Sequence, residues 1–435
     1  MHLTLKNIGK LALADIDLAG ITVIAGENDT GKSTVGKVLC EIFNCFYELE
    51  ESLADARYES IIRDINQEFK RLPESDLILD TQFLRATLAE QNPSDLDEQT
   101  LEKILQASLT SAYGLFRTSR PKAVAAKEVY FSREFVSAAL ESYKKYLRVP
   151  SEVICQSIVT KKIKTEFHSQ LNNIHAKDSE GVIILTVKGQ ELKIVICNNR
   201  ATNISNIISL HSEALYLEDP FVLDTLSMNF PGLFSQSSFS RQQVLMKRLI
   251  QGFYTTTAEE ALQEVVVTEQ LSEIMKKLNS ACSGSLTNSR DGFAYAVGKN
   301  SPALSLENIS LGLKPFIIIK SLLLNGGLER NGVLVLDEPE IHLHPQWQVL
   351  LAEILVLLQK EFNLHILITT HSPYFLEAIE VYSEKHKTAE SCRYYLAENS
   401  GSNSNIRDVM DNTELIYQKL AQPFQTLETA RYDND

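Results

Sequence analysis

The stretch "GENDTGKST", Gly26 to Thr34, constrains this chain more than any other. Before it runs "ITVIAG" (Ile21 to Gly26), short, apolar and β-branched, which reads as a buried strand ending in glycine. After Lys32, the residues Val35, Val38, Leu39, Ile42, Phe43 and Phe46 recur at helical spacing and form one apolar face. A strand, a glycine-bounded loop and a helix therefore follow one another. The loop fits G-x-x-x-x-G-K-[ST] at Gly26, Gly31, Lys32 and Ser33. Glycines let the backbone curl so that successive N–H groups face phosphate oxygens. The helix N-terminus adds positive dipole character. Lys32 supplies a cation for the β- and γ-phosphates, and Ser33 a hydroxyl for Mg²⁺. With average residue usage, a chance match in a chain of this length is on the order of 1–2%.

Such a loop needs a metal-holding partner. "NGVLVLDEPE" (Asn331 to Glu340) is an apolar strand ending in acids. Asp337 at its end is the candidate metal ligand, and Glu338 the candidate group that polarises an attacking water. "HILITTH" (His365 to His371) is a further strand, and His371 at its end is placed to bond the γ-phosphate or that water. Each of these two signals is weak alone; together with the loop they are strong.

On "GENDTGKST", "ENISLGLKPF", "LVLDEPEIHLHPQ" and "ITTHSPYFLEA" the chain resembles the ATP-binding-cassette class of ATPases. More narrowly, it resembles the bacterial branch similar to OLD-type, RecF-like and SMC-like heads, of the kind found in anti-phage defence systems. The resemblance covers the two ends of the chain. It implies a Walker A loop at Gly26, Glu27, Asn28, Asp29, Thr30, Gly31, Lys32, Ser33 and Thr34. It implies a Walker B metal residue at Asp337, with Ser33 as the other metal ligand. It makes Glu338 the catalytic glutamate, Lys32 and His371 catalytic partners, and Ser310 and Gly312 remnants of the signature. Leu311 and Leu313 depart from that signature. "EIHLHP" occupies the D-loop place, where His342 and His344 are expected to serve packing and dimer contacts rather than a metal. No Q-loop glutamine can be placed; the turn at Glu218-Asp219 is the candidate region. ATP and Mg²⁺ are the implied ligands, sandwiched between subunits of a homodimer or higher homo-oligomer.

The implied fold is α/β, an ABC-type head with a mixed sheet and flanking helices, interrupted by a largely helical insertion. Residues 1–48 and 285–435 are assigned to the head, with strands in 181–220 as a further part of it. Residues 49–180 and 221–284 are assigned to the helical insertion. "GVIILTVKGQELKIVICNN" (Gly181 to Asn199) reads as a hairpin turning at Lys188-Gly189, and "EALYLEDP" (Glu213 to Pro220) and "GFAYAV" (Gly292 to Val297) read as strands. Polar loops are expected near Pro73 and over Gln91 to Thr100. Thr257 and Glu260 form a capping box on a helix running to about Leu278. Pro345 and the pair Ser372-Pro373 open helices. The first of these carries Trp347, Leu350, Leu351, Ile354, Leu355 and Leu358 on one face. "NSGSNSN" (Asn399 to Asn405) reads as a loop. There are no sustained heptads and no C-x-x-C hook, so a long coiled-coil arm is not expected.

The 435 residues give room for two or three domains, and 44% hydrophobic residues suffice for a sizeable core. No apolar run is long enough for a membrane span, and "MHLTLKNIGK" is no secretory signal. Six scattered cysteines read as reduced core thiols in a cytoplasmic protein. A net charge of −14 argues against bulk attraction to nucleic acid. Local basic clusters at Lys144-Lys145 with Arg148, at Lys161-Lys162 with Lys164, and at Lys276-Lys277 keep nucleic-acid binding open. The leading functional expectation is an ATP-hydrolysing sensor or scaffold in anti-phage defence, whose nucleotide state controls a separate effector such as a nuclease or toxin. The alternative is a DNA-repair or chromosome-maintenance head that clamps DNA. A transporter subunit ranks last, because the insertion and "DEPEIHLHP" suit it poorly. No toprim-like acidic cluster follows His371, so no nuclease is expected in the chain itself.

Overall fold

The computed structural model describes residues 1–72, 78–92, 95–117, 131–176, 179–227, 240–251, 271–289, 292–298 and 301–432. The chain divides into two compact units, Met1–Tyr47 with Ile158–Asp435, and Glu48–Ser157.

The larger unit is α/β and is built on an 11-stranded mixed sheet. Its strands are β1 (His2–Ile8), β2 (Leu11–Asp17), β3 (Ile21–Gly26), β4 (Gly181–Val187), β5 (Gln190–Cys197), β6 (Arg200–Ser205) and β7 (Ala214–Leu217). A three-stranded sheet follows from β8 (Ser285–Ser289), β9 (Gly292–Ala296) and β10 (Leu304–Ser305). The large sheet is completed by β11 (Val333–Asp337), β12 (His365–Thr370), β13 (Cys392–Ser400) and β14 (Asn403–Asp408). Its spatial order is β6-β5-β4-β1-β2-β14-β13-β3-β12-β11-β7. The run β13-β3-β12-β11-β7 is parallel throughout. The run from β6 to β2 is an antiparallel meander that includes the hairpin expected at Lys188-Gly189. Both turn residues of that hairpin have positive φ, as a two-residue hairpin loop demands.

β3, β7 and β11 are buried along their whole length, which is why they read as unbroken apolar runs. α1 (Lys32–Cys45) covers this parallel region, and the helical face read from the sequence is buried on it. Each fully buried Leu or Ile there contributes roughly 1.5–3 kcal/mol. In chain order, α2 (Leu49–Phe69), α3 (Thr81–Ala89), α4 (Glu98–Arg117), α5 (Arg133–Leu147) and α6 (Ser151–Glu166) come next. α7 (Val222–Ser227), α8 (Arg241–Ile250), α9 (Ser272–Ala281) and α10 (Lys314–Leu324) follow. The last three are α11 (Pro345–Phe362), α12 (Pro373–Lys385) and α13 (Glu414–Tyr432).

The smaller unit is helical. Ile61, Ile65, Leu84, Leu88, Leu101, Leu105, Phe135 and Tyr143 form its own core. Phe69, Phe131 and Phe135 stack or tilt against one another within it.

Several details differ from the sequence expectation. The described parts of 158–180 and of 221–284, expected in the insertion, fall in the larger unit. There Leu223, Leu245, Leu249 and Leu278 join the core that covers the parallel strands. "NSGSNSN" is not wholly a loop. Only its middle turns, through Gly401 at φ 62, and its ends pair in β13 and β14. α11 buries Ala352, Val356 and Leu357 as well as the expected face, so it is enclosed on more than one side. Ser372 caps α12 by accepting from the Phe375 N–H. The loop at Pro73 and the capping box at Thr257 and Glu260 lie outside the described residues. None of the six cysteines is in a disulfide. No described helix is long and apolar enough to cross a membrane.

Candidate nucleotide site

The parallel strands β3, β12 and β11 are adjacent, and their C-terminal ends carry the three stretches singled out in the sequence. β12 pairs with β3 from Ile366 to Thr370, and with β11 from Val333 to Asp337. This register brings Gly26, Asp337 and His371 to one edge of the sheet, although they lie far apart in the chain.

The loop between β3 and α1 is built on positive φ values: Gly26 at 152, Asp29 at 59 and Gly31 at 81. A Cβ at Gly26 would lie 2.3 Å from the Ala397 carbonyl oxygen, so only glycine lets the loop leave β3 beside β13. The tip residues Glu27, Asn28 and Asp29 are exposed, while the Thr30 hydroxyl is buried and donates to the Glu27 carbonyl at 2.8 Å. Lys10 holds the loop from outside, through the Asp29 carboxylate at 2.6 Å. Lys419 pairs with Glu27 at 3.2 Å. Lys32 is 3% exposed and donates to the carbonyls of Gly26 at 3.1 Å and Glu27 at 2.7 Å. Burial pushes its ammonium below the ordinary value, and the nearby carboxylates of Glu338, Asp337 and Glu340 oppose that shift. Ser33 and Thr34 continue into the first turn of α1, half-buried.

Asp337 is buried at the end of β11, and both its carboxylate oxygens accept from hydroxyls: Tyr216 at 2.8 Å and Thr369 at 2.5 Å. Glu338 follows with φ 50, a left-handed conformation costly for a side-chain-bearing residue. Its N–H is held by the Thr369 carbonyl at 3.1 Å and by the Thr369 hydroxyl at 3.1 Å. This turns the Glu338 carboxylate to meet His371 Nε2 at 2.6 Å. That hydrogen bond, with help from Lys32, holds the Glu338 carboxyl below the ordinary glutamate range. An ionised carboxylate can only accept, so Nε2 carries the proton of the pair.

Glu340 is a further component that sequence reasoning missed. Its Oε1 accepts from the Thr370 hydroxyl at 2.5 Å and from the His371 N–H at 2.8 Å, tying the D-loop place to the end of β12. Its Oε2 is buried without a hydrogen bond among the described residues, and burial raises its carboxyl above the ordinary value. Gln348 bridges the Leu343 carbonyl at 3.0 Å and the Ser372 hydroxyl at 2.6 Å. Ser310 and Gly312 lie in the turn that immediately precedes α10. A Cβ at Gly312 would meet the His342 carbonyl at 2.9 Å and the Trp347 ring at 3.4 Å. His342 packs edge-on to Phe221, and His344 caps α11 by accepting from the Gln346 N–H. The Glu218-Asp219 turn follows β7 directly. With Glu338 and His342 it lines a cavity of about 280 Å³, and Glu218 pairs with Lys37 of α1 at 2.5 Å.

These residues suit a magnesium-bound triphosphate. The N-terminus of α1 has no side-chain cap and no acid in its first turn, so its N–H groups and dipole are left for an anion. Mg²⁺ is commonly held by one or two carboxylates together with substrate phosphates and waters, which matches the buried Asp337 carboxylate, with Ser33 offering a hydroxyl from the first turn of α1. Among the described residues no group of three or more His, Cys, Asp or Glu side chains could hold a metal ion without such a substrate.

The AAA_15 family model, described as an AAA ATPase domain, matches residues 1–376. The chain belongs to that family. Among curated relatives, the Retron Ec83 probable ATPase of Escherichia coli is 34% identical over 19% of this chain and 17% of its own length. The Retron Vc95 probable ATPase of Vibrio cholerae is 33% identical over 19% of this chain and 17% of its own. The Septu protein PtuA of Bacillus thuringiensis is 29% identical over 26% and 34%. The chain thus matches about a third or less of the length of each of these relatives. Among solved structures, an SMC head domain from Thermotoga maritima covers 94% of this chain at 11% identity, with a TM-score of 0.38.

Proposed function

We propose that this protein binds ATP with Mg²⁺ at the edge of β3, β12 and β11 and hydrolyses it. The observation that carries the reading is the meeting of Lys32, Asp337, Glu338 and His371 at one sheet edge, beside an uncapped helix N-terminus. ATP supplies the phosphoanhydride, and Mg²⁺, when bound, would neutralise charge on its phosphates. Lys32 and the N–H groups of α1 bind the phosphates, and Asp337 and Ser33 hold the metal. Glu338, kept ionised by His371, accepts a proton from the attacking water, and His371 orients the water or the γ-phosphate. Ser310 and Gly312 are proposed to close on the nucleotide of a second copy, in a homodimer or larger homo-oligomer.

The retron ATPases and the Septu protein among its relatives support a role in anti-phage defence. There the nucleotide state would control a separate effector protein. We assign the ATPase work to the larger unit and the partner surface to the helical unit. The test is ATP hydrolysis and nucleotide binding by the full chain and by Lys32→Ala. The variant is expected to lose both, because the loop loses its cation. Unchanged turnover would remove Lys32 from the site and the reading with it.

A further inference from the structure

Asp337 does not stand alone at the end of its strand. The Tyr216 hydroxyl, from the neighbouring strand β7, donates to its Oδ2 at 2.8 Å. Tyr216 is 3% exposed. The ring is itself held. A Cβ at Gly36 of α1 would lie 3.2 Å from its edge, so the helix passes close because it carries no side chain there. The Arg241 guanidinium of α8 lies 5.1 Å from the ring centroid, within cation–π range.

Arg241 is fixed in turn by two acids. Its Nη1 is 3.2 Å from Glu41 of α1 and 3.5 Å from Glu166 of α6. Lys162 of α6 pairs with the other oxygen of Glu41 at 3.1 Å. Glu41 is 2% exposed, so this cluster is desolvated and its geometry strongly constrained. A cavity of about 120 Å³ borders Tyr216, Arg241 and Glu166, so the stack is not jammed on that side. The division between the two units falls at Ser157 and Ile158, inside α6.

We propose that Tyr216 is a positioning residue for Asp337, and that Arg241 makes this positioning depend on α6. The inference rests on Asp337 being the metal-holding carboxylate. The Tyr216 hydroxyl holds Oδ2 while the Thr369 hydroxyl holds Oδ1, so each oxygen keeps a lone pair that a metal could use, and Arg241 fixes the ring. A shift of α6 moves Glu166 and Lys162, and with them Arg241 and the ring. The nucleotide site is thereby coupled to α6. Hydrogen-bond partners one shell out from a metal ligand typically change metal affinity 10- to 100-fold.

The test is Mg²⁺ titration of the full chain with a fluorescent ATP analogue, reading the tightening of nucleotide binding, with metal-free binding and melting temperature measured alongside. Tyr216→Phe keeps the ring and deletes the donor. It is expected to raise the Mg²⁺ midpoint by about tenfold, with metal-free binding unchanged and melting lowered by no more than the loss of one buried hydrogen bond. Arg241→Lys is expected to shift the midpoint in the same direction. The double variant is expected to match Tyr216→Phe alone, because both act through one hydroxyl. An unchanged midpoint in Tyr216→Phe overturns the proposal, and additive effects in the double variant overturn the part given to Arg241. Asp337→Asn separates the levels. If it leaves the midpoint unchanged, the metal reading itself fails. If it abolishes the Mg²⁺ effect while Tyr216→Phe behaves as wild type, only the positioning inference falls.

Discussion

Two glutamates separated by one proline receive opposite treatment. Glu338 is half-buried and hydrogen-bonded to His371, which stabilises its ionised form. Glu340 is almost wholly buried, with one oxygen unpartnered, which favours its neutral form. Their roles diverge accordingly. Glu338→Gln removes the proton acceptor but keeps the shape, so nucleotide binding should persist while turnover falls by roughly 10²–10⁴-fold. Single-turnover hydrolysis at the wild-type rate would count against Glu338 as the base. Glu340 makes a different prediction, about stability and pH. Its folded pKa is raised above the unfolded value near 4.5. The stability it contributes is therefore complete below that value and is lost as pH rises through the folded pKa. Glu340→Gln cannot ionise, so its melting temperature should fall less than that of wild type between about pH 4 and pH 8. Parallel melting curves against pH for the two proteins would remove the effect.

At the scale of elements, the parts that read clearly were those whose pattern is local. β3, β11 and β12 are apolar runs bounded by glycine or acids, and the α1 face is a plain helical repeat. The β1–β2 hairpin escaped although Leu3 and Leu5, and Ala14 and Ile16, are buried in alternation with more exposed neighbours. The pairing of β14 escaped because only Ser404 and Ile406 of that strand are buried. The site divides the same way. Lys32, Asp337 and Glu338 announce themselves by motif. Tyr216 reads only as one more buried residue of an apolar strand, because its role depends on β7 lying beside β11, a pairing across more than a hundred residues. Glu340 and Thr369 likewise acquire meaning only through the register of β11 with β12. The loop itself gives an element-scale prediction. Gly26→Ala places a methyl 2.3 Å from the Ala397 carbonyl at φ 152, so either β13 shifts or the loop does. The expected cost is roughly 2–4 kcal/mol in denaturant unfolding, with loss of nucleotide binding. Unaltered stability would mean that the approach of the loop to β13 is looser than this packing requires.

For the whole molecule, charge bears on the two functional readings. A protein that clamps DNA must neutralise several phosphates, and its affinity then falls steeply with salt. This chain carries a net charge of −14. The basic clusters visible in the sequence are partly committed elsewhere: Lys162 pairs with buried Glu41, and Lys277 with buried Glu353 at 2.7 Å. Those ammonium groups offset internal carboxylates rather than an external polyanion. The net negative charge repels nucleic acid at long range at low salt, a repulsion that is screened at physiological salt. Duplex DNA should therefore leave ATP turnover of the full chain within roughly twofold at about 0.15 M salt, and lowering the salt should not reveal stimulation. Stimulation that grows as salt is withdrawn would reverse the ranking. It would mean that cations held apart in the sequence combine into a phosphate track strong enough to overcome the net negative charge, and the DNA-clamping reading would replace effector control.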